Sequence, residues 1–459
     1  MASKDSIRAL DEKAQEAIER LASDTAQDVA RFLYERDHDI EQASSTKPSE
    51  VEYRVFLASR IGSIVEHGSF TMDETGKYWQ SQQAPHKPSK FIQSRNKNNV
   101  KDFHYQPPKK GGKSVELPLY LEMTFVDLAG KEKIKISTSD ILKPELYDVS
   151  IQDNTFCKAE TYFKYLKPGE TYVSDVIGAY QKTQFIGPYS KARAEKAGIE
   201  FTPQNSAYAG EENPVGKRFQ AIVRWATPVV SNQKIIGFVT LALNHNHLME
   251  FTDHTIPTEA RYSEISNAGT GNYTFMWDYL GRNISHPRDY FITGYYPETG
   301  HPALPWLEAD HYKKWQEGYL NTTDFLKTLP LFENQSLDKK PAAEQNRSGY
   351  VGLDCRYLNF APQCDGWMNL TQDGGSGSFL ISWSGLWKLT TAATIPYYTG
   401  QYGSSERGFG FVTIGANVNE FHKAAVSTSE KIEEIGANHL KNLDQQFQDS
   451  EIFLKKSSK

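Results

Sequence analysis

Few residue sets in this chain have the types and spacing that chemistry needs. His245-x-His247, with His254, offers three imidazoles to a metal. Residues two apart on a helix diverge by about 200°, so the pair reads as surface residues rather than as ligands. Lys109-Lys110-Gly111-Gly112-Lys113-Ser114 ends like a phosphate-binding loop, but Pro107 stands where its first glycine belongs. Asp373-Gly374-Gly375-Ser376-Gly377 is a flexible turn without the Gly-x-Ser-x-Gly order of a nucleophile elbow. Asp and Glu are plentiful, yet no pair marks an acid–base site. Cys355 and Cys364 lie nine apart in a loop rich in Asn, Pro and aromatics, close enough to bridge. No Cys/His spacing supports zinc, so a Cys355–Cys364 disulfide is favoured over two free thiols, with Cys157 left over. The expectation is therefore no catalytic residue, no metal and no cofactor. What remains is binding: 25 Tyr, 24 Phe and 8 Trp suit half-buried strands and ligand-lined clefts.

Length and charge narrow the class. A chain of 459 residues exceeds one core and fits two to three domains. A net charge of −6 gives no reason to expect nucleic acid. No apolar run approaches the roughly 18–20 residues that span a bilayer, and no signal peptide opens the chain. Met1-Ala2-Ser3 before a charged helix reads as an expression start. The chain is then expected to be either cytosolic or an excised soluble piece of something larger.

The elements that must hold any site are a helix at each end and strands between. From Asp5 to His38, Ile7, Leu10, Ala14, Ala17, Ile18, Leu21, Val29, Phe32 and Leu33 recur at helical spacing with no Gly or Pro. Such a helix is about 50 Å long, a spine beside two stacked domains. Val51–Val65 reads as a second helix. Residues 73–112 form a polar, Pro-rich surface excursion. Strands follow at Leu117–Asp127, Lys133–Ser137, Thr171–Val176, Phe219–Val230 and Ile235–Leu243, then a helix from His245 to Thr255 stopped by Pro257. A second strand set opens around Asp278 and closes with Ser378–Trp383, Leu389–Tyr398 and Gly408–Ala416. From Asn419 to Leu454 the pattern is helical again.

Two marks occur twice, in the same order. Phe125-Val126-Asp127-Leu128-Ala129-Gly130-Lys131 is echoed by Met276-Trp277-Asp278-Tyr279-Leu280-Gly281-Arg282. Asp-x-x-Gly before a base, between apolar runs, is a hairpin turn, and Asp127 and Asp278 are turn formers. Gly237-Phe-Val-Thr-Leu-Ala-Leu-Asn244 is echoed by Gly410-Phe-Val-Thr-Ile-Gly-Ala-Asn417. The chain holds two tandem copies of one strand-rich module.

This order of long helix, two modules and exit helix resembles a double Cache (dCache) sensor, the extracytoplasmic ligand-binding region of many bacterial receptors. The marks are Thr171-Tyr172-Val173-Ser174-Asp175-Val176 and the closing strands ending in Asn244 and Asn417. The resemblance implies an α+β fold: a long N-terminal helix, two tandem PAS-like (Cache) modules, each an antiparallel sheet flanked by helices, and a C-terminal exit helix. It implies a helical spine at 1–70, a membrane-distal, ligand-binding module at 71–256, a membrane-proximal module at 257–425, and a helix toward the membrane at 426–459. It further implies a periplasmic part of an inner-membrane receptor of the histidine kinase, phosphatase, cyclase or chemoreceptor type. Such receptors act as homodimers anchored by segments outside this chain, and this region is not itself an enzyme.

The resemblance also places a site. Asp175 matches the Asp that contacts a ligand amine, and Tyr162-Phe163 stand where the amino-acid-binding subgroup has Trp-Tyr. Glu160 replaces that subgroup's carboxylate-gripping Arg, and two carboxylates do not pair. Glu160 and Asp175 would suit an amine or another cation, with Tyr162, Phe163 and Tyr180 as cation–π walls. Lys158 or Arg224 pointing inward would restore an anion clamp. The ligand is thus a small polar molecule: an amine, an amino acid or an organic acid. Tyr172 and Trp225 complete the candidate set. The bland readings stay beside these: Asp175 as a turn cap, Phe163 and Trp225 as core, Arg224 as an edge charge. Trp383 and Trp387 are core by default, with a second pocket as the alternative. Two other functions remain open: a secreted carbohydrate hydrolase, and a structural interaction ectodomain.

Overall fold

The computed structural model describes residues 2–65, 70–72, 79–81, 114–139, 142, 144–150, 165–180, 219–257, 268, 271–296, 301–318, 321–347, 351–383 and 386–418. The chain opens on α1 (Ala2–Ser45), about 66 Å at helical rise, longer at both ends than its sequence stripe. α2 (Glu50–Ala58) follows, its first turn closed by the Ser49 hydroxyl, which accepts from the Glu52 backbone N–H. The expected helix over 51–65 stops there. Ile61–Val65 is instead β1, pairing antiparallel with β4 (Ser114–Pro118). Gly62 lets this ribbon lie on His247 and Leu119, where a Cβ would come within 2.8 Å of both side chains. A small separate ribbon joins β2 (Phe70–Met72) and β3 (Trp79–Ser81).

The first large sheet is built from β5 (Tyr120–Asp127), β6 (Glu132–Ser137), β7 (Tyr172–Val173), β8 (Ile177–Tyr180), β9 (Phe219–Ser231) and β10 (Lys234–Asn244). Its order is β6-β5-β10-β9-β7, with β8 also on β9. The expected strand at 117–127 is broken at Leu119, whose N–H bonds to the Arg60 carbonyl. The β9–β10 turn holds Asn232 and Gln233 at φ 50° and 64°, a left-handed pair that matches strand twist. α3 (Asn246–Asp253) leads out. The second sheet contains β11 (Tyr273–Asp278), β12 (Asn283–Ser285), β13 (Ser376–Trp383), β14 (Leu386–Ile395) and β15 (Gly410–Asn417), in the order β12-β11-β15-β14-β13. Between β12 and β13 come α4 (Ala309–Gln316), α5 (Thr322–Leu326) and α6 (Gln363–Thr371). The fold is α+β. The expected C-terminal helix lies outside the described residues. Among the described residues no helix is long and apolar enough to cross a membrane.

The two sheets are copies in register as well as in order. Gly237 pairs with Asp127, and Gly410 pairs with Asp278. Both aspartates bond the backbone N–H groups two and four residues on, as turn formers do. The repeated glycine has a steric reason. A Cβ at Gly237 would sit 2.4 Å from the Val126 carbonyl, and one at Gly410 2.0 Å from that of Trp277.

α1 binds the sheets into one body. Ile18, Ala22, Val29, Leu33 and Ile40 belong to a single core with Val223, Trp225 and Leu241 of the first sheet and Leu389, Val412 and Ile414 of the second. Its N-terminal half lies on the second sheet, where Gln15 Nε2 donates to Ser378 Oγ at 2.8 Å. Its C-terminal half lies on the first, where the Asp39 carboxylate takes Arg36, Arg60 and the Tyr120 hydroxyl. At the junction stands Asp37. Trp225 Nε1 of the first sheet donates to it at 2.8 Å, and the Tyr397 and Thr399 hydroxyls beyond β14 donate at 2.7 and 2.5 Å.

Burial pushes the Asp37 carboxyl above the ordinary range, against the pull of its three donors. A carboxyl raised on folding contributes stability that is fully present below its unfolded value and lost as pH rises through its folded value. Asp37→Asn, which cannot ionise, should flatten that part of the stability–pH curve in denaturant titrations. Asp37→Ala leaves three donors without their acceptor and should cost about 2–4 kcal/mol. An unchanged midpoint in Asp37→Ala would show that the junction does not stabilise the fold.

Candidate functional site

Strand alternation gives each sheet an inner face toward α1 and an outer face. On the first sheet's outer face, two apolar patches flank a charged row. Val126, Ala226 and Phe238 pack with Tyr147, Val149, Leu166 and Tyr172 at one end. Ile222 and Ala242 pack with Leu142 and Ile177 at the other. Between them Arg224 Nη1 donates to Glu122 Oε1 at 2.7 Å and to Thr240 Oγ1 at 3.0 Å. Thr240 in turn lies 2.6 Å from Thr124 Oγ1. Lys135 Nζ stands 3.7 Å from Glu122 and 2.9 Å from Glu132. Arg224 and Glu122 side chains are 2% and 1% exposed. A mid-sheet row of charges at this depth is expensive to bury and holds only as a set.

The sequence candidates separate accordingly. Arg224 is not an edge charge: it sits on a central strand, fully enclosed and paired. Trp225, its neighbour, points the other way into the α1 core and binds Asp37, so it does not share a face with Arg224. Tyr172 joins the apolar patch beside the row, on β7 opposite Ala226. Asp175 is held by the second module: Oδ2 pairs with Arg282 at 2.7 Å, and Oδ1 accepts from Gln401 at 3.0 Å. Arg282 is shared with Asp278, 2.5 Å away, so Asp175 closes a carboxylate–guanidinium–carboxylate chain between the modules. Tyr180 lies on β8, and of it only the backbone is described. Lys158, Glu160, Tyr162 and Phe163 lie outside the described residues.

His245 and His247 are buried, not on the surface. Each donates Nε2–H to a backbone carbonyl, of Ile284 at 2.7 Å and of Pro118 at 3.0 Å. Burial holds the His247 ring below its usual pKa. Among the described residues, Glu308, His311 and Glu333 have metal-ligand spacing. Lys339 Nζ, 3.4 and 3.6 Å from the two carboxylates, already supplies the cation there.

The sequence reading missed most of a cavity of about 520 Å³ on the second sheet's outer face. Tyr273, Phe275 and Trp277 of β11 and Lys388 and Thr390 of β14 form its floor. Its cover includes Trp306 and Trp367. Trp383 lines it as well, while Trp387 is 57% exposed on the other side of the strand. A Cys355–Cys364 disulfide, Cα–Cα 5.4 Å, clips the covering loop to α6, which carries Gln363 and Trp367. The floor is invisible in sequence because its aromatics read as ordinary strand residues.

No family model matches the chain, and no curated protein does. Among solved structures the chain is similar to the extracellular domain of a putative histidine kinase, vpHK1S-Z8. The identity is 11%, over 92% of this chain and 96% of that one, with TM-score 0.38. It is similar to a domain of a putative sensory box/GGDEF family protein from Vibrio parahaemolyticus, at 11% identity over 90% and 97% with TM-score 0.37. A third is the ligand-binding domain of the Pseudomonas fluorescens chemoreceptor CtaA, in complex with L-leucine, at 10% identity over 90% and 99% with TM-score 0.37.

The charged row makes a stability prediction. Glu122→Ala takes the 2.7 Å carboxylate partner from Arg224, while Lys135 keeps Glu132, and should cost about 3–5 kcal/mol in denaturant titrations, because a buried guanidinium loses that counter-charge. Replacing Glu122 by Leu together with Arg224 by Met should recover most of that loss. A small loss in Glu122→Ala alone would show that water reaches the row.

Proposed function

We propose that this chain is the extracytoplasmic sensing region of a membrane-bound signalling receptor, of the histidine kinase, phosphatase, cyclase or chemoreceptor type. In this reading residues 71–256 bind a small polar ligand, 257–425 form the membrane-proximal module, and 426–459 lead toward the membrane. The observation that carries it is the enclosed row Lys135–Glu122–Arg224 on the first sheet's outer face. Ligand sites are apolar clefts with a few placed polar groups, and this face has that composition. These charges pair with one another, so a zwitterion such as an amino acid would fit by exchange, its carboxylate taking Arg224 or Lys135 and its amine taking Glu122 or Glu132. Glu160, Tyr162, Phe163 and Lys158 are the further proposed contacts.

The route out of the site is short. The Arg224 backbone N–H donates to Ser174 Oγ at 2.8 Å, next to Asp175. Asp175 is bound to Arg282, and the Tyr402 hydroxyl donates to the Ser174 carbonyl at 2.7 Å. A ligand that moves β9 against β7 therefore pulls on the second module directly. The Cys355–Cys364 disulfide accords with an oxidising compartment outside the cytoplasm. A homodimer in the full receptor and anchoring through segments outside this chain belong to the same proposal.

The test is a thermal-shift and calorimetric screen of amino acids, amines and small carboxylates on the intact chain. A stabilising ligand is expected, its affinity lowered about tenfold or more by Arg224→Met and its interdomain effect lost in Asp175→Ala. Binding that ignores Arg224→Met in a folded variant would move the ligand off this face. Absence of any binder, with a protein partner captured by the intact surface, would favour an interaction ectodomain.

A further inference from the structure

The two outer faces share an address but differ in charge. In the first sheet Ala242 lies between Glu122 and Arg224 across the strands; in the second Gly415 lies between Tyr273 and Thr390. One step along the same face, Asn244 pairs with Ile222, while Asn417 pairs with Lys388. The duplicated sheet has thus replaced the first copy's carboxylate by a tyrosine and has placed a new cation at an apolar position. The consequence is an ammonium with no counter-ion among the described residues. Lys388 is 6% exposed, and among the described residues its charge meets only the Tyr273 ring, 5.3 Å from Nζ to centroid. Burying an ammonium against apolar walls is costly unless an anion joins it.

The cavity beside it supplies the space. About 520 Å³ lies within the range of small-molecule sites. Arg288 also lines it, and none of its described lining residues is Asp or Glu. Its walls are flat rings, with Phe291 stacked on Trp306 at 5.9 Å and Phe275 edge-on to Trp367 at 5.5 Å. Gln363 Oε1 is buried there with no hydrogen-bond partner among the described residues, a polar group left for an occupant. The geometry points to a second ligand site, in the second module, for a small carboxylate with an aromatic body, its carboxylate at Lys388 and its ring among the tryptophans. This site is separate from the charged row of the first sheet and stands without it.

The probes are phenylacetate, 4-hydroxyphenylacetate and indole-3-acetate, titrated calorimetrically into the intact chain, with tryptophan fluorescence as a second readout for phenylacetate. Benzylamine and benzyl alcohol are the controls of opposite and no charge. At least one acid is expected to bind with Kd below about 1 mM, and benzylamine not at all. Lys388→Met should weaken that acid about 10- to 100-fold, the worth of one charge-assisted contact. Lys388→Arg should retain most of the affinity, and Arg224→Met should leave it unchanged. The inference is overturned if none of the three acids binds, if benzylamine binds as tightly, or if folded Lys388→Met binds as the parent does. Loss in Arg224→Met with Lys388→Met unaffected would assign the acid to the first sheet and would also overturn it, while leaving the proposed sensing function standing.

Discussion

One carboxylate fixes how the parts of this protein sit together. Asp37 projects from α1 at the level where the sheets meet and collects donors from Trp225 of the first and from Tyr397 and Thr399 of the second. A helix alone cannot set the angle between two sheets packed on it, because apolar packing tolerates sliding. Three directional bonds to one half-buried group do not. The same stretch of helix carries Arg36 and Asp39, which tie in Tyr120 and Arg60. Around this junction the modules touch through polar contacts: Asp175 with Arg282, Tyr402 with Ser174, and the Phe219 N–H with Asp289.

Duplication explains why each sheet has the same two faces. The inner faces stay apolar in both copies, because both must pack on α1: Val239 and Leu241 in one, Val412 and Ile414 in the other. The outer faces are free to diverge, since each meets its own covering segment. In the first copy a guanidinium and carboxylates neutralise one another across the central strands. In the second, aromatic rings take that area and leave a cavity. The disulfide belongs to the second copy alone, where it holds a cover with little regular structure of its own. Closing a loop covalently limits the conformations that cover can visit.

The sequence by itself determined the long helix, the tandem copies and their turns, because these follow from local rules. Helical periodicity without Gly or Pro marks α1, and Asp-x-x-Gly marks both hairpins. The glycine of each Gly-Phe-Val-Thr octet is required wherever a neighbouring carbonyl comes within 2.4 Å of its Cβ position. The pairing of Cys355 with Cys364 was legible from nine residues of spacing. Local rules failed where a distant partner decided. Ile61–Val65 continues a helical pattern but becomes a strand, because β4, some fifty residues on, offers it an edge.

Only the tertiary structure decided which side chains meet. Arg224 and Trp225 are adjacent in sequence and sit on opposite faces of the sheet, one among charges and one in the core. Asp175 reads as a ligand contact until the second module brings Arg282 to it from more than a hundred residues away. Lys388 looks like any surface lysine until Tyr273 and the cover enclose it. Charge and hydrogen bonding act over a few ångströms whatever the separation along the chain. Periodicity therefore reveals which face of an element is buried, and folding alone sets what that face is buried against.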